Sequence, residues 1–170
     1  ALHPNEAPRL AQGALDEALA EIDRLAGSGD RVRAVGETGL DHYRTGRDGH
    51  AVQEASFRAH VEMARRHAKT LVIHDRDAHA DVLRVLDDVQ VPERVVFHCF
   101  SGDAAMAAHC AARGWFLSFA GTITFANAAR LREAGTAVRL ADLEREQPEP
   151  GDFDRVVVGA SVHLGKYQSE

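Results

Sequence analysis

VGETGLDHYR, residues 35 to 44, sets two carboxylates, Glu37 and Asp41, beside two glycines directly after an apolar stretch. With the residues before it, RVRAVGE (31–37) reads as a short strand stopped by Gly36, followed by a turn and a second carboxylate. An acidic pair at a strand mouth contributes nothing to packing. It suits a metal ion or a proton. The same arrangement recurs downstream. TLVIH (70–74) is β-branched and ends in His74, and RVVFHCF (94–100) carries His98 near its end. Helical patterns separate these strands. GALDEALAEIDRLAGSG (13–29) puts Leu15, Leu19, Ile22 and Ala26 on one stripe, ended by GSG. HAVQEASFRAHVEMARRHAK (50–69) puts Phe57, Val61, Ala64 and Ala68 at helical spacing. DAHADVLRVLDDV (77–89) opens on Asp77 as an N-cap, and DAAMAAHCAARG (103–114) runs from Asp103 to Gly114. WFLSFAG (115–121) and DRVVVGA (154–160) read as further strands, ANAARLREA (126–134) as a helix and EREQPEPGD (144–152) as a loop. Alternation of this kind means parallel strands joined by right-handed crossovers. Strands that are apolar on both faces fit a sheet covered by helices. Two architectures satisfy the pattern, a barrel and an open doubly wound sheet.

The 170 residues suffice for one domain with a real core, and a 45% hydrophobic, 27% charged composition is that of a soluble globular protein. No apolar run nears the ~20 residues of a membrane helix. The opening ALHPNEAP has no basic region before an apolar stretch, so no signal peptide is expected; the missing initiator Met points to processing or a fragment. Cys99 and Cys110 form no CxxC pattern and fit a reducing compartment, so the expected location is cytoplasmic. The net charge of -6 excludes a protein that holds DNA mainly by neutralising phosphates. Nucleic-acid contact would be local or would run through a bound cation.

In a parallel barrel the carboxyl ends of all strands meet on one face. Glu37, His74 and His98, each at the end of a separate strand, therefore converge. Two imidazoles and a carboxylate suit zinc, or manganese and magnesium completed by water. A single histidine at a strand end is usually a hydrogen-bonded structural residue; two of them with a glutamate at equivalent ends are hard to obtain by chance. The other histidines, His50, His60, His67, His79 and His109, fall on helices and are expected to face solvent. Cys99 follows His98 and on a strand would point to the opposite face, into the core. Asp75 and Asp77 are expected to cap the next helix.

At these residues the chain resembles the TatD family of metal-dependent deoxyribonucleases and hydrolases, among the amidohydrolase-like TIM barrels. The matching stretches are VGETGLDHYR (35–44), LVIHDRDAHADVL (71–83), VVFHCFSGD (95–103) and FLSFAGTITFANAARLRE (116–133), with QEASF (53–57) between the first two and LHPNEA (2–7) like the family's His-Pro loop. The resemblance covers about residues 2 to 134 of a single α/β domain, 1 to 170, whose remainder diverges. It implies a TIM-barrel-like (β/α) fold with parallel strands, here a partial barrel. It also implies a two-metal centre (Mg, Mn or Zn) that cleaves phosphodiester bonds of DNA, 3′ to 5′, with metal-activated water. By that resemblance Glu37 is the catalytic carboxylate that binds or bridges the metals, and His74 and His98 are ligands. His3 lies near the substrate, and Asp41, Arg76 and Ser101 support the ligands or face phosphate. The chain departs from the family in two places. The opening His-x-His pair and the first strands are absent. In RVVVGASVHL (155–164) Gly159, Ala160 and Ser161 stand where the family has Glu-Thr-Asp. His163, two residues past Ser161, is a candidate replacement ligand. A catalytically impaired remnant of the family is the alternative reading. A relative that cleaves amides or lactones is disfavoured because none of the strands here ends in Lys, and a flavodoxin-like sheet because GETGLD is not a phosphate loop.

Overall fold

The computed structural model describes residues 1–11 and 13–120. The expected helix 126–134, loop 144–152 and strand 154–160, with Ser161 and His163, lie outside the described residues. After a single 3-10 turn at Ala7–Arg9, the order is α1 (Ala14–Ala26), β1 (Ala34–Asp41), α2 (Arg47–Arg66), β2 (Thr70–Arg76), α3 (His79–Asp88), β3 (Val95–His98), α4 (Ala104–Ala112) and β4 (Phe116–Leu117). All pairings are parallel and the strands neighbour one another in chain order, β1-β2-β3-β4. A doubly wound sheet reverses its order at a switch point. This sheet does not, so the described strands form an arc of a barrel rather than an open doubly wound layer.

The core lies between the outer face of the arc and the helices. Leu71 and Ile73 of β2 and Val95 and Phe97 of β3 are fully buried against Phe57, Val61, Val82, Val85 and Cys110. Burial alternates along β2: Leu71, Ile73 and Asp75 face the helices, while Val72, His74 and Arg76 occupy the other, half-covered face. Among the described residues no helix is long and apolar enough to cross a membrane.

β1 departs from its expected limits. It starts at Ala34 and runs through to Asp41, so Glu37 and Asp41 share one strand instead of flanking a turn. The register explains how. Between Val35 and Thr38 the chain takes three steps while β2 takes two, from Leu71 to Ile73. The extra residue makes a bulge, which re-aims a side chain without ending the pairing. Gly36 and Gly39 make it possible, with φ of +150° and +139°, and a Cβ at either would run into the β2 backbone, at Val72 and His74. The glycines therefore permit the strand to continue and do not stop it.

The helix starts follow expectation in one case and depart from it in another. Asp103 caps α4, its carboxylate accepting the Met106 N–H at 2.9 Å. Asp77 does not cap α3; it sits at φ +54°, and Ala78 holds the cap position without a side-chain bond. Asp75 is not a cap either. It is buried beneath α3 and accepts a hydrogen bond from His79 Nδ1 at 2.7 Å.

Candidate metal centre

Four side chains from four segments meet on the inner face of the arc. Glu37 comes from the β1 bulge, His74 from β2, His98 from the end of β3, and His3 from the loop before α1. Glu37 Oε1 lies 3.1 Å from His3 Nε2 and 3.6 Å from His74 Nδ1, and its Oε2 lies 3.4 Å from His98 Nε2. The donor atoms of His3, Glu37 and His74 fall within 4.8 Å of one another. Four donors about 2.1 Å from a tetrahedral zinc stand roughly 3.4 Å apart, so these separations suit a shared cation.

Hydrogen bonds sort the three imidazoles by role. His74 Nε2 donates to Asp41 Oδ2 at 3.1 Å, which leaves Nδ1 as the lone-pair nitrogen facing Glu37. A carboxylate behind a histidine in this way is the usual support of a metal ligand. His3 is held the other way round. Its Nδ1 accepts the Asn5 N–H at 3.1 Å, so in the neutral ring Nε2 carries the proton and donates to Glu37. On this reasoning the nitrogen that His3 turns to the site is a donor. His98 Nε2 faces both Glu37 and Cys99 Sγ, the latter at 3.1 Å, and His98 is the most open of the group. The donor atoms mutually within 4.8 Å are those of His3, Glu37 and His74, and His98 joins them through Glu37 Oε2 alone.

The electrostatics agree. When the His74 ring is doubly protonated its Nδ1–H also donates to Glu37; that bond lowers the Glu37 pKa against the opposing effect of burial, with His98 and His3 adding to it, so Glu37 is held as a carboxylate. Burial disfavours charge on His74, but Glu37 and Asp41 outweigh it and the pKa rises. Burial and neighbouring His74 lower that of His3. Burial likewise opposes ionisation of Asp41, yet the Arg44 N–H, the Asn5 amide and His74 bring its pKa below the ordinary value.

Behind the ligands is a polar frame. Asp41, 1% exposed, accepts from Asn5 Nδ2 at 2.9 Å and Arg44 N at 2.8 Å. Gln53 of α2, fully buried, accepts the Asp41 N–H through Oε1. Its Nε2 donates to the Pro4 and Asp41 carbonyls and to Thr45 Oγ1. Asn5, Thr45 and Gln53 were not legible as site residues from spacing alone. Gln53 did carry one signal: it occupies the stripe of Phe57, Val61 and Ala64, where a polar residue must find partners.

Other expected residues sit differently. Arg76 lies at the mouth, its guanidinium 3.9 Å from the centre of the Tyr43 ring. Ser101 is exposed and donates Oγ to the Asp75 carbonyl at 3.1 Å, tying the β2 and β3 ends together rather than joining the Glu37 cluster. Cys99 is exposed, with φ +48°, and not in the core. β3 ends at His98, so strand alternation does not reach it. His60 does not face solvent: it is fully buried, Nδ1–H donating to the Ser56 carbonyl and Nε2 accepting the Leu2 N–H. His50, His67, His79 and His109 are half-covered. His50 stacks on His42, and His67 and His79 are held by Asp23 and Asp75.

The comparisons meet this geometry from outside. The model of the family described as TatD-related DNase matches residues 1–146. The metal-dependent hydrolase TatD of Mycobacterium tuberculosis is 46% identical over 154 residues, covering 88% of this chain and 56% of that protein. A protein of Cronobacter turicensis named 3′-5′ ssDNA/RNA exonuclease TatD is 38% identical over 109 residues, 64% of this chain and 41% of its own length. The crystal structure of YjjV, a TatD homologue of Escherichia coli K12, superposes with a TM-score of 0.67 at 26% identity, over 81% of this chain and 52% of that one. The chain thus spans about half the length of the relatives it matches.

Proposed function

The chain belongs to the TatD-related DNase family, and from that premise we propose that it carries the ligand-bearing part of a metal-dependent phosphodiesterase acting on single-stranded DNA from the 3′ end. One observation carries the reading: the ionised Glu37 offers one oxygen toward His74 and the other toward His98, with His74 held in register by Asp41. Glu37, His74 and His98 are the residues that would hold the metal. A divalent cation there supplies Lewis acidity that polarises a phosphoryl oxygen and offsets the negative charge of substrate and protein. The chain's own residues do the rest. Asp41 fixes the His74 tautomer. Glu37 stays ionised across the neutral range. His3 presents an N–H toward the same space, where a phosphoryl oxygen can accept it. The overall reaction adds water across a P–O bond, giving a phosphate monoester and a free hydroxyl. The family membership and the exonuclease name of the Cronobacter relative support the substrate class.

The test is metal content after dialysis, with calorimetric titration of Mn²⁺ and Zn²⁺, on wild type and on His74→Ala/His98→Ala. Nucleotide release from single-stranded DNA is followed on the same samples. Binding and release, both lost in the double variant, are the expected result. Metal bound without release would overturn the phosphodiesterase reading in favour of an impaired site. No binding by wild type would overturn the metal site.

A further inference from the structure

We propose that Tyr43, backed by Arg76, is a stacking platform for a nucleobase next to the metal centre; this rests on the reading above that the substrate is a nucleic acid. Tyr43 is 64% exposed, an unusual placement for a large ring in the described part of the chain. It lies one residue past His42, whose N–H donates to the Arg76 carbonyl, so ring and guanidinium come from adjacent strand ends. Arg76 covers one face of the ring at 3.9 Å, and the ring is open to solvent. A cation against one face of an aromatic ring holds its orientation and lowers the entropy lost when something stacks on the other.

The charge balance around Arg76 favours an anionic chain passing over it. Among the described residues no carboxylate lies within 4 Å of its guanidinium, although Asp75 and Asp77 flank it in sequence. Asp75 points the other way, to His79. Arg58, Arg66, Arg84 and Arg113, by contrast, all hold long-range carboxylate partners. In a protein of net charge -6, an arginine without a carboxylate partner at the mouth is a local positive point. Arg76 is two residues beyond His74 and therefore on the same face, roughly 6.6 Å nearer the mouth. A strand whose scissile phosphate sits at Glu37 and His74 carries its neighbouring nucleotide over Arg76, with the base beside Tyr43. Stacking of this kind tolerates any base and requires an unpaired strand.

The test separates the base from the backbone. Two fluorescein-labelled hexamers with phosphorothioate linkages are titrated with Mg²⁺ present, one of thymidines and one in which every base is removed. Wild type is expected to bind the thymidine probe about tenfold tighter than the abasic probe. Tyr43→Ala is expected to erase that difference without changing metal stoichiometry, and Tyr43→Phe to keep it. Equal affinity of wild type for both probes, or a preference that survives in Tyr43→Ala, overturns the platform. Failure of the hydrolase reading shows separately, as absence of nucleotide release from the ordinary oligonucleotide with the base preference intact.

Discussion

Replacing Gln53 with Leu tests whether the polar frame behind the metal ligands holds both fold and site. The substitution keeps side-chain volume close and removes every polar atom. Gln53 is fully buried, and its four hydrogen bonds run at 2.7 to 3.2 Å to Asp41 N, Pro4 O, Asp41 O and Thr45 Oγ1. Thr45 Oγ1 still has Asn5 as a partner at 3.2 Å. The Asp41 N–H, the Asp41 carbonyl and the Pro4 carbonyl lose the partner that Gln53 gives them. Each orphaned buried group costs about 1–3 kcal/mol. The added apolar burial of Leu offsets part of that, about 1 kcal/mol. The expected net loss is about 5 kcal/mol, read as a lower urea midpoint at unchanged slope, or a melting temperature about 10–20 °C lower. The site should respond too, because Gln53 anchors the backbone of Asp41 and Asp41 orients His74. Apparent Mn²⁺ affinity is expected to fall about tenfold or more. A loss below about 1 kcal/mol, or unchanged metal affinity in a folded variant, would refute the idea that Gln53 ties α2 to the centre.

Three further outcomes follow from particular contacts. Asp41→Asn keeps the shape but removes the anionic acceptor behind His74 Nε2; calorimetry should show metal affinity lowered about 10- to 100-fold with little change in far-UV circular dichroism. Gly39→Ala places a Cβ against the His74 carbonyl at φ +139°, so urea unfolding should show a loss of about 3 kcal/mol or more, far above that of Gly13→Ala, where nothing lies within 4 Å. His60 is held neutral by burial, with its pKa below the ordinary 6.5. The unfolded chain therefore takes up this proton first as pH falls. Stability from this group is complete above about pH 6.5 and declines below it toward the folded pKa, by at most about 1.4 kcal/mol per pH unit. His74, whose pKa is raised, acts in the opposite sense, its contribution lost as pH rises. The measurement is thus the difference in urea stability between wild type and His60→Gln from pH 7.5 to 5, which should narrow toward acid; a constant difference would show that His60 titrates normally.

Part of this architecture is legible in one dimension because it is periodic. Strand and helix patterns alternate at their own spacings, and parallel strands follow from connections that each contain a helix. The acidic and histidine residues at strand ends are legible for the same reason, since a parallel arrangement gathers those ends without knowledge of any contact. Asp103 as a helix cap is a local matter, settled by a side chain and a backbone three residues away.

What depends on register and packing was not legible. The glycines of VGETGLD look like stops, and only pairing with β2 shows that they let the strand pass through a bulge that turns Glu37 inward. Cys99 looked like a core residue until β3 ended one position earlier. His60 looks like a polar surface residue of α2, and Gln53 lies on the apolar stripe with no visible partner; both meet the segment of residues 2–5, 48 or more positions away in the chain. The sequence by itself determined the fold class, the chemical types at the strand ends and the family. The tertiary structure decided which nitrogen of each histidine faces the site, which carboxylate orients which imidazole, and where Arg76 and Tyr43 meet. Periodicity is carried by neighbours along the chain, whereas hydrogen-bond partners are chosen by groups that become neighbours only when the chain has folded.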